Sequence, residues 1–154
     1  MVDKSSKQLV PVSEQAPAWD AWNIQVARDG QKLTPPSRRQ AERLVERLEG
    51  LGGRDLNLID IGCGTGWICD RIVKFGRVTG IDLSPASIER ARQRLPAGRF
   101  LLGDVSTADL ELASFDVAAS LEVLSHVADQ AAFIARIAQL LKPGGRVFLA
   151  AQNK

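Results

Sequence analysis

Three glycines in five residues, Gly62, Gly64 and Gly66, follow directly on Leu58-Ile59-Asp60-Ile61. That run is apolar on both faces apart from Asp60, as a strand at the centre of a parallel sheet should be. A glycine turn at its end lets the backbone take positive φ and lets a ligand come close where a Cβ would collide with it. A helix from about Trp67 aims its unpaired N–H groups back at the turn. The chemistry this predicts is the holding of a nucleotide-type cofactor. Twenty positions after Gly62, Gly80-Ile81-Asp82-Leu83-Ser84 ends a second apolar run in an acid, placed to accept both hydroxyls of a ribose. Asp82 has a competing use as cap of a helix opening at Pro85, but Ser84 can take that role and leave the carboxylate free.

The glycine spacing narrows the cofactor. A dinucleotide fingerprint needs G-x-G-x-x-G, and counted from Gly62 its third glycine falls on Trp67. An indole where helix and strand should pack tightly argues against NAD or FAD. The pattern here is G-x-G-x-G preceded by Asp60, and it resembles that of the class I S-adenosylmethionine (SAM) methyltransferases. The resemblance continues in order through Gly80–Ser84, Leu101-Leu102-Gly103-Asp104, Phe115–Ser120 and Leu140–Leu149, covering about Leu56 to Ala151.

What the resemblance implies is a SAM site assembled from several strand ends. The first turn would contribute Asp60, Gly62, Cys63, Gly64, Thr65 and Gly66. Asp82 and Leu83 would take the ribose side, and Asp104 and Val105 the adenine side, although Asp104 also reads as a solvated loop acid. Ser120 and Leu121 close the fourth strand. Pro36-Ser37-Arg38 resembles the Pro-x-Arg of the family's ubiquinone-biosynthesis O-methyltransferase-like branch, where the arginine pairs with the methionine carboxylate of SAM. Arg39 is an alternative, and a solvated charge at a helix start is another. Ser120-Leu121-Glu122-Val123-Leu124-Ser125-His126 resembles the same branch's Glu-Val-Leu/Ile-Glu-His segment, with Ser125 in place of the second Glu, which weakens a metal reading. Glu122 and His126 are the candidate catalytic residues. His126 is the only histidine, with a pKa suited to taking a proton from a hydroxyl near neutrality. The bland alternative is a histidine that bonds a neighbouring loop.

The elements that must position these groups follow from periodicity. Residues 1–17 read as a mobile arm, and Trp19, Trp22 and Val26 as one face of a short helix. The two tryptophans serve as a lid over the cofactor or as core. After a loop, Ser37 is the expected N-cap of a helix carrying Ala41, Leu44, Val45 and Leu48, closed by Gly50, Gly52 and Gly53. Strands at 56–61, 77–81, 99–102, 115–120 and 146–151 then alternate with helices at 67–75, 85–94 and 129–141 and a short turn or helix at 107–111. Alternation predicts a doubly wound α/β sheet of Rossmann-like type, and the family's strand order is 3-2-1-4-5. One domain, 18–154, is expected, with N-terminal helices at 19–49 and a core at 56–151.

Composition excludes several classes. At 154 residues and 45% apolar content the chain can bury a core, and no apolar run is long enough to span a bilayer. The net charge is +2. Met1 to Asp55 holds nine Lys/Arg against eight Asp/Glu, so no basic arm for nucleic acid is expected. Cys63 and Cys69 fit neither a disulfide framework nor a CxxC metal site, and the cytoplasm is the default location. The expected activity is methyl transfer from SAM to a small molecule, most readily at oxygen, leaving S-adenosylhomocysteine. The alternative is a non-catalytic SAM-binding or partner-binding domain. The family sheet has two further strands beyond the fifth, so the sequence reads as a piece of a longer methyltransferase. Its fifth strand, lacking proline and charge after Arg146, would form an open edge able to pair with a second copy.

Overall fold

The protein's structure, a computed structural model, describes residues 12–28 and 34–151, the side chains of residues 12, 13, 22 and 26–28 excepted. Five parallel strands form its sheet: β1 (Leu56–Ile61), β2 (Gly76–Asp82), β3 (Arg99–Leu102), β4 (Phe115–Leu121) and β5 (Leu141–Ala150), in the order β3-β2-β1-β4-β5. β1 lies at the centre because it is apolar on both sides, and it pairs Leu58 with both Val78 and Val117. Successive residues serve opposite layers. Leu58, Val78 and Val117 face α2 (Pro35–Leu51), α3 (Trp67–Ile72) and α4 (Pro85–Arg94), joining Leu44, Leu48, Ile72 and Ile88 in one core. Ile59, Ile61 and Ala118 face the other way, toward Phe133, Ile137 and Leu140 of α5 (Gln130–Leu140).

Several boundaries differ from those read in the sequence, each for a local reason. The N-terminal helix α1 spans Val12–Arg28 with Pro17 inside it, so residues 12–17 are not a mobile arm. Pro17 cannot donate to the carbonyl four residues back, at Ser13, and so close to the helix start the loss is confined to a single bond. The arm expected for residues 1–11, the loop at 29–33, residues 152–154 and the side chains of Trp22 and Val26 lie outside the described residues.

The N-cap of α2 is Thr34, not Ser37. Its Oγ1 accepts from the Ser37 N–H at 3.3 Å. Pro35 and Pro36 have no N–H to satisfy and φ values already helical, so the helix starts on them. Gly52, at φ 64, closes it with its N–H on the Glu49 carbonyl. Helix α3 ends at Ile72 and tightens into a 3₁₀ turn at Val73–Phe75. Residues 107–111 form turns without a helix. Leu141 opens β5 five residues before Arg146. Phe115 pairs with Leu141 and Val117 with Arg146, so Lys142-Pro143-Gly144-Gly145 is absorbed as a bulge. Lys142 is fixed there by its 2.9 Å ion pair with Asp116. Among the described residues β5 is the sheet's outer edge on that side, with Val147 47% exposed. No helix among them is long and apolar enough to cross a membrane.

Candidate active site

In an open parallel sheet the ligand crevice lies beyond the carboxyl ends of the strands, where the chain order reverses. Here the reversal falls between β1 and β4. A cleft opens at that end, lined by residues from the ends of β1, β2, β3 and β4 and roofed by α1.

The glycine turn supplies the floor, and its three glycines are required for two different reasons. All have positive φ, 75° at Gly62, 52° at Gly64 and 80° at Gly66. A Cβ at Gly62 would overlap Val123 Cγ2, and one at Gly66 would sit 3.2 Å from Ala91 of α4. Those two allow packing. A Cβ at Gly64 would meet nothing within 4 Å, and Gly64 lines the cleft. Only Gly64 leaves its space open for a ligand.

Asp82 is locked against that turn. Its Oδ2 accepts from the Gly64 N–H and its Oδ1 from the Ser84 N–H, both at 2.9 Å. Burial raises its pKa, opposed by the N–H groups of Ser84, Gly64 and Leu83. Ser84 caps α4 through its Oγ, which accepts from the Ser87 N–H at 3.1 Å, so the carboxylate of Asp82 keeps lone pairs for the cleft. Asp104 also lines the cleft, one oxygen accepting from the Ser106 N–H at 2.8 Å. Leu83, Val105 and Leu121 complete the wall from the predicted set.

Other predicted residues stand behind the wall. Asp60 is fully buried under the turn, with the Cys69 thiol donating to it at 3.5 Å. Burial pushes its pKa up to about 7, the Cys69 hydrogen bond opposing and the nearby Asp82 charge adding to the rise. Cys63, Thr65 and Ser120 are buried and do not line the cleft, and the Ser120 Oγ has no hydrogen-bond partner among the described residues. Gly66 packs on α4 instead. Arg38 and Arg39 are exposed on the first turn of α2 and neither lines the cleft. The structure therefore does not bring Arg38 to the site, because its helical position points it to solvent.

Glu122 and His126 both line the cleft. Glu122 has φ 63, rare for a residue with a side chain, and its N–H is held by the Ala150 carbonyl at 2.7 Å. Its carboxylate accepts from Gln40 Nε2 of α2. The His126 ring meets Trp19 edge to face, centroids 4.7 Å apart and planes at 84°. Gln15 ties the roof down, accepting from Trp19 Nε1 at 3.2 Å and donating to the His126 carbonyl at 2.9 Å. On the opposite rim Asp20 accepts from Ser84 Oγ at 2.7 Å and from the Ala86 N–H at 3.2 Å. Gln15, Asn23 and Gln40 carry no motif, so the sequence offered no signal for them, and only Trp19 among the roof residues was marked, as lid or core.

A doubly wound sheet with a glycine turn and acid-ended strands around one cleft defines a nucleotide-cofactor class. Within it, a family model described as a methyltransferase domain matches residues 59–149, and the chain belongs to that family, the class I SAM-dependent methyltransferases. It is 36% identical over 104 residues to a ubiquinone biosynthesis O-methyltransferase of Mesorhizobium japonicum, covering 64% of this chain and 42% of that protein. A SAM-dependent methyltransferase from Mesorhizobium loti is similar in structure, with TM-score 0.60 and 32% identity over 68% of this chain and 50% of the other. An amino pentose methyltransferase from Micromonospora echinaspora, solved with SAM bound, gives TM-score 0.69 and 27% identity over 86% of this chain and 56% of the other. The chain spans less than half the length of the ubiquinone-biosynthesis relatives it matches.

Proposed function

We propose that the chain binds SAM in the cleft and that the protein transfers the methyl group to a small molecule, at oxygen most readily. The observation that carries this is the open space over Gly64 beside an Asp82 already fixed to the same turn. The residues fit the cofactor's chemistry: Asp82 and Asp104 supply acceptors for ribose and adenine, and the bare backbone of Gly64 admits a close approach. When bound, SAM supplies an electrophilic methyl group on a sulfonium. The protein has to align an acceptor lone pair behind that methyl carbon, exclude water and remove a proton if the acceptor is a hydroxyl. Trp19 and Gln15 of the roof exclude water, and His126 and Glu122 are placed to take the proton. The remaining partner expectation is a second copy, or another chain, on the open edge of β5. The reading places the protein in the cytoplasm, with Cys63 and Cys69 both free and buried.

Calorimetry with SAM, S-adenosylhomocysteine and NAD tests the cofactor: the first two bind and NAD does not. Asp82→Ala weakens both roughly tenfold to hundredfold by removing a charge-assisted contact. Titration of a folded Asp82→Ala protein that matches the parent would show the ribose assignment to be wrong.

Activity is read by mass from labelled SAM with a panel of phenols, amines and carboxylic acids. His126→Ala lowers kcat roughly a hundredfold with SAM affinity kept, since proton removal belongs to the transition state. An unchanged kcat would remove His126 as base.

A further inference from the structure

Glu122 and Gln40 are 82 positions apart, yet the Gln40 amide is aimed at the Glu122 carboxylate. The arrangement leaves the carboxylate little freedom. Its backbone sits at φ 63 and its N–H is fixed to β5 at Ala150, a conformation that persists only where the surroundings impose it. The Gln40 Oε1 is buried and has no hydrogen-bond partner among the described residues. Turned round, the amide would set that oxygen against a carboxylate, acceptor facing acceptor. The side chain is thus kept in one sense, donor toward Glu122, although its own oxygen is left unsatisfied.

The direction in which Glu122 is held follows from the cleft. Val123 lies against Gly62, so the segment after β4 adjoins the glycine turn. On the reading above, on which this inference rests, Asp82 and Asp104 take the adenosine, which leaves the sulfur at the β1 and β4 ends beside Glu122. The charged or titratable groups that line the cleft are Asp82, Asp104, Glu122 and His126. We propose that Gln40 is a positioning residue that holds the Glu122 carboxylate toward the sulfonium, and that this pair raises the affinity for the cationic methyl donor relative to its neutral thioether product. That contribution is lost after transfer, because the positive charge that Glu122 faces disappears when the methyl group leaves.

The test is calorimetric titration of the whole chain with SAM and with S-adenosylhomocysteine, for the parent, Glu122→Gln, Gln40→Met and the double variant. Each single substitution weakens SAM roughly three- to tenfold, the size of one partly screened charge contact, and changes the product's affinity by less than about twofold. The double variant is no worse than Glu122→Gln, since Gln40 acts only through Glu122. Gln40→Asn, too short to reach, behaves like Gln40→Met and serves if the latter does not fold. A Gln40 variant that weakens both ligands alike, one that leaves their ratio at the parent value, or additive losses in the double variant would each overturn the proposal. A parent chain that binds neither ligand overturns the methyltransferase reading and this inference with it; the other outcomes strike the pair alone.

Discussion

Gly64→Val leaves a folded protein that binds neither SAM nor S-adenosylhomocysteine at concentrations a hundredfold above those that saturate the parent. The new side chain meets no protein atom within 4 Å of its Cβ, so it projects into the cleft. The fold bears only the strain of a β-branched residue at φ 52, on the order of 1–2 kcal/mol. Gly62→Ala separates the two effects. Its Cβ collides with Val123, so there the melting temperature drops before any ligand is added. Circular dichroism and calorimetry on both variants check the pair of statements. A Gly64→Val chain that titrates normally would mean that the cofactor does not lie over this turn.

Raising the pH from about 4 to about 7 destabilises the chain, and Asp60→Asn removes most of that dependence. The sign follows from the proton. Folded Asp60 holds its proton until about pH 7, whereas the unfolded chain releases it near 3.8. Below the lower value both states are protonated and the stabilisation is fully present. Between the two, the unfolded state gains a solvated charge that the folded state cannot accept. Stability then falls by up to about 1.4 kcal/mol per pH unit, about 4 kcal/mol across the interval. Above about 7 the contribution is gone. Asp82, also raised by burial, acts in the same direction. Asp116 acts oppositely: the Asn57 N–H and then Lys142 lower its pKa, so its contribution is present at neutral pH and lost in acid. Urea midpoints measured at half-unit intervals in parent and Asp60→Asn decide it. Parallel profiles in the two proteins would show that Asp60 is not the group responsible.

The part of the site that the sequence displays is the part built within one strand-turn-helix unit. β1, the glycine turn and α3 are contiguous, and so are Asp82 and the Ser84 cap, which made their positions readable from spacing. The five strands were legible for the same reason, since period and apolar runs are local properties. Legibility fails wherever the deciding contact comes from elsewhere. Lys142-Pro143-Gly144-Gly145 reads as a turn, and only the register against β4 makes it a bulge within a strand. Residues 12–17 read as part of a mobile arm, yet α1 docks over the cleft and continues through Pro17. Arg38 matched a family pattern along the chain, but it lies on the first turn of α2, ahead of the buried stripe that begins at Ala41, and is exposed there. Gln40, two residues on, reaches Glu122 instead.

The roof carries a consequence for how the protein is made. α1 precedes its partners along the chain, since Gln15 and Trp19 have theirs at His126, more than a hundred residues later. Closing so long a loop has little to reward it until β4 has joined the sheet. Asp20 likewise waits for Ser84 and Ala86 at the start of α4. The earliest of the described helices therefore cannot be fully seated until the segment around residue 126 is in place. Until residue 126 has emerged the nascent chain has a glycine turn but no covered cleft, and SAM added during synthesis has no roofed site to stabilise before that length.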